Sequence, residues 1–147
     1  MDDLLQREAG EMAENIRRLF AELDRAAPGA AAATGECRPP LDVLETAATI
    51  EVVMDLAGVA RPSIRVAIRR NAVLLVGAKV VAAPASPSAR FHLAERSSGR
   101  FARVVRVTGA IDARRARAVV ASGQLRVILP RVAERRGQLV DVAVEQG

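Results

Sequence analysis

The stretch that decides the fold is residues 91–107, which read Phe-His-Leu-Ala-Glu-Arg-Ser-Ser-Gly-Arg-Phe-Ala-Arg-Val-Val-Arg-Val. A polar hinge in its middle precedes a segment with the two-residue period of a β-strand. One face of this strand carries Phe101, Arg103, Val105 and Val107. An unpaired guanidinium among apolar side chains is costly, so we predict that a partner holds Arg103.

Short strand signals continue on both sides of this stretch. Apolar and other residues alternate in segments separated by turns, a pattern typical of a β-sandwich. The predicted strands are Leu41 to Glu45, Ile50 to Leu56, Ile64 to Arg69, Val73 to Lys79, Arg117 to Val120 and Leu125 to Leu129. Pro39 and Pro40 precede the first strand and mark it as an edge, because proline cannot donate a ladder hydrogen bond. Residues 80–90 predict a long loop.

Residues 1–38 form an N-terminal arm. Residues 3–27 predict a helix whose apolar positions recur at spacings of four and three, namely Leu5, Ala9, Met12, Ile16, Leu19 and Leu23. Pro28 and Gly29 end it, and residues 28–38 predict a flexible linker. The apolar face packs on its own domain or a neighbouring subunit, or it is exposed for oligomerisation or for binding a partner, and the two arrangements can hold in different states. Both alternatives stay open.

The side-chain inventory argues against an enzyme. His92 and Cys37 are the only residues of their types, so neither a catalytic triad nor a zinc centre can be assembled. No glycine-rich phosphate loop follows a strand. We therefore expect no catalytic residues, no metal and no cofactor. His92 is interpreted as structural and Cys37 as a free surface thiol.

The formal charge of +5 comes almost entirely from arginine, with Lys79 the only lysine. The arginines occur singly or in short pairs without aromatic residues between them, so we expect no nucleic-acid partner. The N-terminus lacks an apolar leader, and no apolar run is long enough to span a bilayer. These features predict a soluble, cytoplasmic protein.

Five segments resemble, in the right order, motifs of the small heat-shock proteins of bacterial type, the α-crystallin family. They are Pro39 to Thr46, Asp55-Leu56-Ala57-Gly58-Val59, Asn71 to Gly77, Glu95 to Arg103 and Ala118 to Leu125. The resemblance implies an all-β, immunoglobulin-like β-sandwich, the α-crystallin domain, over residues 39–130. An N-terminal helix would precede it, and an extended C-terminal tail, residues 131–147, would follow. The implied function is that of an ATP-independent chaperone, a holdase that prevents the aggregation of unfolding clients.

The resemblance also implies a dimer formed by strand exchange. Phe91 to Ala94 would pair with Leu41 to Glu45 of another chain, since an edge strand with open backbone groups is a template for pairing. The implied interface residues are Leu41, Val43, Phe91, His92, Leu93 and Arg103. The alternative is that residues 80–98 form only a mobile loop. For Arg103 the alternative is a cross-strand arginine with its head in solvent.

The tail sequence Val140-x-Val142 is similar to the family's Ile-x-Ile anchor. Alternate apolar residues on an extended tail can fill two pockets of a neighbouring subunit. The groove that receives them would be lined by Val66, Ile68, Ala116 and Ala118. Each valine lacks one methylene of isoleucine, which is worth about 0.8 kcal/mol, so we expect weaker oligomers. A frayed tail is the alternative.

The resemblance implies that clients bind the apolar face of the N-terminal helix, comprising Leu5, Met12, Ile16, Leu19, Phe20 and Leu23. The implied partners are unfolded client proteins, further copies of the chain and a paralogous small heat-shock protein. A co-chaperone or assembly adaptor with a related sandwich and no holdase activity is the main alternative. An arginine-rich nucleic-acid binder is a third, and it predicts salt-dependent retention of DNA or RNA.

Overall fold

Two β-sheets packed face to face form the body of the protein. The computed structural model describes residues 2–31, 33, 35–132 and 139–147. Two helices come first, α1 (Asp2–Ala26) and α2 (Pro28–Ala31). The strands are β1 (Leu41–Glu45), β2 (Thr49–Asp55), β3 (Ile64–Arg69), β4 (Ala72–Lys79), β5 (Gly99–Arg106), β6 (Arg117–Ala121), β7 (Gln124–Pro130), β8 (Leu139–Val142) and β9 (Val144–Gln146). The predicted β-sandwich with an N-terminal helix is confirmed.

The first sheet has the order β1-β2-β7-β6-β9 and the second β5-β4-β3-β8. Neighbouring strands are antiparallel, except that β9 runs parallel to β6. In β2 and β7 every second side chain is buried between the sheets, and this alternation is what the sequence displays. The buried cluster consists of aliphatic side chains together with Phe101.

Strand β4 departs from that alternation because both of its faces are buried. Val73 and Leu75 belong to the core between the sheets, whereas Leu74 and Val76 face outward into a separate cluster beneath α1. A strand covered on both faces is apolar throughout, and the sequence here reads Ala-Val-Leu-Leu-Val-Gly-Ala. The second sheet is therefore sandwiched between the first sheet and the helix.

The segment predicted to be a flexible linker is partly ordered. Pro28–Ala31 form a short helix, and Glu36 makes a parallel bridge with Arg100 at the start of β5. The approach is close, because a Cβ atom on Gly99 would lie 2.5 Å from the backbone of Gly35. Gly99 has a φ of +133°, which side-chain-bearing residues rarely adopt. Residues 32 and 34 of the predicted linker, and 133–138 of the predicted tail, lie outside the described residues.

The exchanged strand predicted at Phe91 to Ala94 is not a strand within a single chain. Residues 80–98 between β4 and β5 run as an exposed loop with no ladder pairing. A strand requires a hydrogen-bonded neighbour, and this segment has none in its own chain among the described pairings. Its pairing with the edge strand of another chain stays a prediction.

Candidate functional site

The apolar face of α1 is docked on the chain's own second sheet. Leu19 and Leu23 are 0% exposed. Met12, Ile16 and Phe20 are half-buried and pack on the same clusters, whereas Leu5 is 60% exposed. Of the alternatives left open by the sequence, the structure has the helix packed on its own domain. Client binding by this face stays a prediction, because the sheet covers Leu19 and Leu23 in this conformation.

Ion pairs flank the first half of this docked helix. The Glu8 carboxylate lies 3.0 Å from the Arg70 guanidinium, and that of Glu11 lies 2.5 Å from Arg69. Arg69 ends β3 and Arg70 follows in the turn to β4, so both contacts fix α1 to one end of the second sheet. Partly exposed pairs contribute only about 0–1 kcal/mol each. These pairs therefore set the orientation of the helix and add little to the free energy that holds it on the sheet.

Two further ion pairs fix the second half of α1. Arg18 donates to both carboxylate oxygens of Asp141 on β8, at 2.8 and 3.0 Å. Asp24 lies 3.3 Å from Arg100 on β5, and the Arg100 guanidinium stacks 4.3 Å from the centre of the Phe20 ring. The helix is thus connected both to the tail and to β5, the strand in the second half of residues 91–107.

Five of the six residues predicted at a dimer interface lie in β1 and in the loop before β5. Strand β1 is the edge of the first sheet, with Val43 47% exposed and Leu41 packed against the core. In the loop before β5, Phe91 and Leu93 are 63% and 74% exposed, and His92 is also exposed. No described pairing joins the two segments within one chain. Their exchange between chains stays a prediction.

Arg103 has the kind of partner that the sequence required. Its Nη1 donates a hydrogen bond to the backbone carbonyl of Pro39 at 3.0 Å. The side chain is half-buried at the edge of β5 and connects it to the residues preceding β1. One nitrogen of the guanidinium is therefore held by a backbone carbonyl and not by solvent alone. Its position at a dimer contact stays a prediction.

The C-terminal tail occupies the predicted groove, but in its own chain. Strand β8 pairs with β3, where Val142 lies opposite Val66 and Val140 opposite Ile68. Strand β9 pairs with β6, which places Val144 opposite Ala118. The tail therefore crosses from one sheet to the other between the two strands that were predicted to receive it. Docking onto a neighbouring subunit stays a prediction.

Within this chain, the tail valines that pack on the core are Val142 and Val144, whereas the predicted anchor pair was Val140 and Val142. Val142 is 7% exposed and belongs to the core between the sheets, and the half-buried Val144 packs against it. Val140 is half-buried but lies outside that cluster. Val142 on β8 and Val144 on β9 lie on the two sides of the groove, so both sheets enclose this pair. Val140 lies further along β3, opposite Ile68. Of the predicted lining residues, Val66, Ile68 and Ala118 are buried and Ala116 is half-buried.

An ion pair fixes the last strand. The Arg117 guanidinium on β6 donates to both carboxylate oxygens of Glu145 on β9, at 3.0 and 3.3 Å. This hydrogen bonding and charge hold the pKa of Glu145 below its ordinary value and raise that of Arg117.

Elsewhere, burial raises the pKa of the Cys37 thiol, which donates to the Gly99 carbonyl at 3.4 Å. A raised pKa disfavours the reactive thiolate.

Across residues 2–31, 33, 35–132 and 139–147, no group of three or more histidine, cysteine or acidic side chains could hold a metal ion. No helix in the described part of the chain is long and apolar enough to cross a membrane.

Sequence reasoning missed the outward face of β4, on which α1 rests. The signal was available, because the apolar run from Ala72 to Ala78 does not alternate and so indicates burial on both faces. It also missed Val144 as a seated residue and Asp141 as the acidic partner of the helix. Those two roles depend on the register of the tail, which no local pattern encodes.

The Hsp20/alpha crystallin family model matches residues 42–144, which extends from β1 into β9. The chain belongs to this family. An 18.9 kDa heat shock protein of Oryza sativa subsp. japonica is 33% identical over 113 residues. Those residues make up 76% of this chain and 64% of that relative, so the match spans less than two thirds of the relative's length.

Solved structures of small heat-shock proteins have the same sandwich. Heat shock protein 16.0 from Schizosaccharomyces pombe is 29% identical, with a TM-score of 0.64 over 70% of this chain and 94% of that one. A small heat-shock protein from Xylella fastidiosa is 25% identical, with a TM-score of 0.59 over 71% of this chain and 97% of that one. The predicted small heat-shock protein with an α-crystallin domain is confirmed. Its family is one of chaperones and not of enzymes.

Proposed function

We propose that this small heat-shock protein is an ATP-independent holdase that binds unfolding clients and prevents their aggregation. The observation that carries the proposal is the apolar face of α1, which rests outside an already complete sandwich. The sandwich core does not include α1, so the helix can leave while the core persists. Undocking would expose Leu19 and Leu23, and the proposed client-binding face would then comprise Leu5, Met12, Ile16, Leu19, Phe20 and Leu23.

The direct test is to heat an aggregation-prone client with and without this protein, in the absence of ATP, and to follow turbidity. We expect stoichiometric protein to suppress the rise in turbidity, because its exposed apolar surface competes with client self-association. Unchanged turbidity would remove the holdase proposal and favour the co-chaperone or adaptor alternative. Salt-dependent retention of DNA or RNA would instead favour the nucleic-acid alternative. A cytoplasmic location also stays a prediction.

We further propose that the working unit is a dimer made by strand exchange. The open edge of β1, with Val43 and Leu44 exposed, supports this, as do the exposed Phe91 and Leu93 on a long tether. Light scattering at micromolar concentration tests it, and a stable monomer would contradict it. Arg103 would stabilise the contact through its bond to the segment before β1. If Arg103→Ala leaves assembly mass and stability unchanged, that role is wrong.

The tail is proposed to exchange between its own groove and that of a neighbour, building oligomers above the dimer. Its support is the pairing of β8 with β3 and of β9 with β6, because the tail strands form the outer edges of the two sheets and another copy offers the same groove. The Xylella fastidiosa relative is described as having a distinct high-order structure. Deleting residues 138–147 should reduce the assembly to dimers, whereas unchanged large oligomers would contradict this role. A paralogous small heat-shock protein is a proposed partner for the same exchange.

A further inference from the structure

The outward face of the second sheet has the shape of a seat for a helix. We define the helix seat as Ala67, Ala72, Leu74, Val76 and Ala78, each 0–1% exposed beneath α1. Three of the five are alanines, which let a helix backbone approach closely. Leu74 and Val76 supply the larger side chains between them. A face that served only to meet solvent would be polar, so this one is built to be covered.

The rim of the helix seat is basic. Arg69 and Arg70 lie at one end and Arg100 at the other, and each meets an acidic side chain of α1. These contacts are 24–51% exposed on the arginine side, so solvent can reach them and the pairs can exchange. The seat therefore recognises two features together: an apolar stripe along a helix, and carboxylates on its flanks.

We infer that the helix seat is a second binding surface, specific for amphipathic helical segments whose apolar stripe is flanked by acidic residues. Helix α1 is the resident occupant and must move for a client segment to bind. The inference deepens the proposed holdase function by naming a client class, and it rests on that function in this respect. Charge complementarity selects the occupant, because a helix with basic flanks would meet arginines.

Competition with α1 sets how tightly an external helix binds. While α1 is seated, the apparent dissociation constant is raised by the inverse of the fraction of chains with an empty seat. Weakening α1 without altering the seat should therefore tighten binding of an external helix. A client site on α1 itself would also gain from undocking, so charge-reversed variants of the rim are needed to separate the two surfaces.

The probe is a fluorescein-labelled peptide of residues 2–26, whose binding to full-length chains is measured by fluorescence anisotropy. In the Glu8→Arg/Glu11→Arg chain, two carboxylates that face the rim are reversed. We expect this chain to bind the peptide roughly five- to ten-fold more tightly than the unaltered chain. The matched control is Asp3→Arg/Glu14→Arg, which reverses two exposed carboxylates whose ion pairs among the described residues lie within α1. It should bind within about two-fold of the unaltered chain.

A reciprocal pair of variants tests specificity. Arg69→Glu/Arg70→Glu weakens the seating of α1 and of the acidic peptide alike, so the affinity for that peptide should change little. The same chain should gain affinity for a peptide carrying arginine in place of Glu8 and Glu11. The Glu8→Arg/Glu11→Arg chain alters only α1, so its result stands even if the rim variant unfolds. Equal binding of both peptides to every chain, or no binding to any, overturns the inference. If the protein suppresses client turbidity but does not bind the peptide, the helix seat is refuted and the holdase function is not. Peptide binding without suppression would support the seat and refute the function.

Discussion

Leu19→Ala is the substitution that tests the docking of α1 most sharply. Leu19 is 0% exposed and lies among the apolar residues of the second sheet's outward face. Removing three carbons forfeits about 2.4 kcal/mol of transfer free energy, at about 0.8 kcal/mol each. The cavity left behind raises the loss to about 3 kcal/mol. The affected quantity is the free energy that holds the helix on the sheet, because the core between the sheets does not include Leu19.

A loss of about 3 kcal/mol corresponds to about a hundredfold increase in the fraction of undocked helix. Native-state hydrogen exchange reports this fraction residue by residue. We expect backbone amides of α1 to exchange about a hundredfold faster in Leu19→Ala, while amides of β2 and β7 keep their rates.

Leu5→Ala is the matched control, since it is the same chemical change on the same helix at a site that is 60% exposed. It should change the exchange rates of α1 by less than about 0.5 kcal/mol in equivalent free energy. If both substitutions accelerate α1 exchange by the same factor, the helix is not docked as described. The seat and its competition with client helices would then lose their structural basis.

Three further outcomes follow from the packing and the charges. A Cβ atom at position 77 would lie 2.4 Å from the Phe101 ring, so Gly77→Ala should lower the free energy of unfolding by about 1–3 kcal/mol in urea titrations. Val142→Ala removes two carbons from the core and should destabilise by about 1.6 kcal/mol. Val140→Ala should cost less than half of that in the same titration, because Val140 lies outside the core. The pKa of Glu145 lies below its ordinary 4.5, so its ion pair supports β9 above that pH. That support is lost as the pH falls through the lowered pKa, and faster amide exchange in β9 in acid should record it.

Much of the sandwich could be predicted because its strands alternate. In β2 and β7 one face meets the core and the other is more exposed, so the two-residue period is visible in the sequence. The turn between β6 and β7 could also be predicted, because Ser-Gly is a turn-forming pair. In the structure Ser122 and Gly123 have φ angles of +53° and +75°. Strand alternation and turns depend on residues that are neighbours in the sequence, so a single sequence is enough to predict them.

The working contacts are harder to predict because they join residues far apart in the chain. Arg70 and Glu8 are 62 positions apart, and Arg18 and Asp141 are 123 apart, so no local pattern pairs them. The register that seats Val144 instead of Val140 depends on the shape of the groove. Strand exchange needs a second chain, which the sequence of one chain implies only by resemblance.

The central claim, ATP-independent holding of clients, is tested most directly by recovering the complex. A client is heated with this protein without nucleotide, and the soluble fraction is separated by size exclusion with multi-angle light scattering. We predict that the client elutes with the chain at a mass above that of either component, and that added ATP changes neither yield nor mass. Client recovered only in the pellet, with this protein eluting alone, would contradict the account.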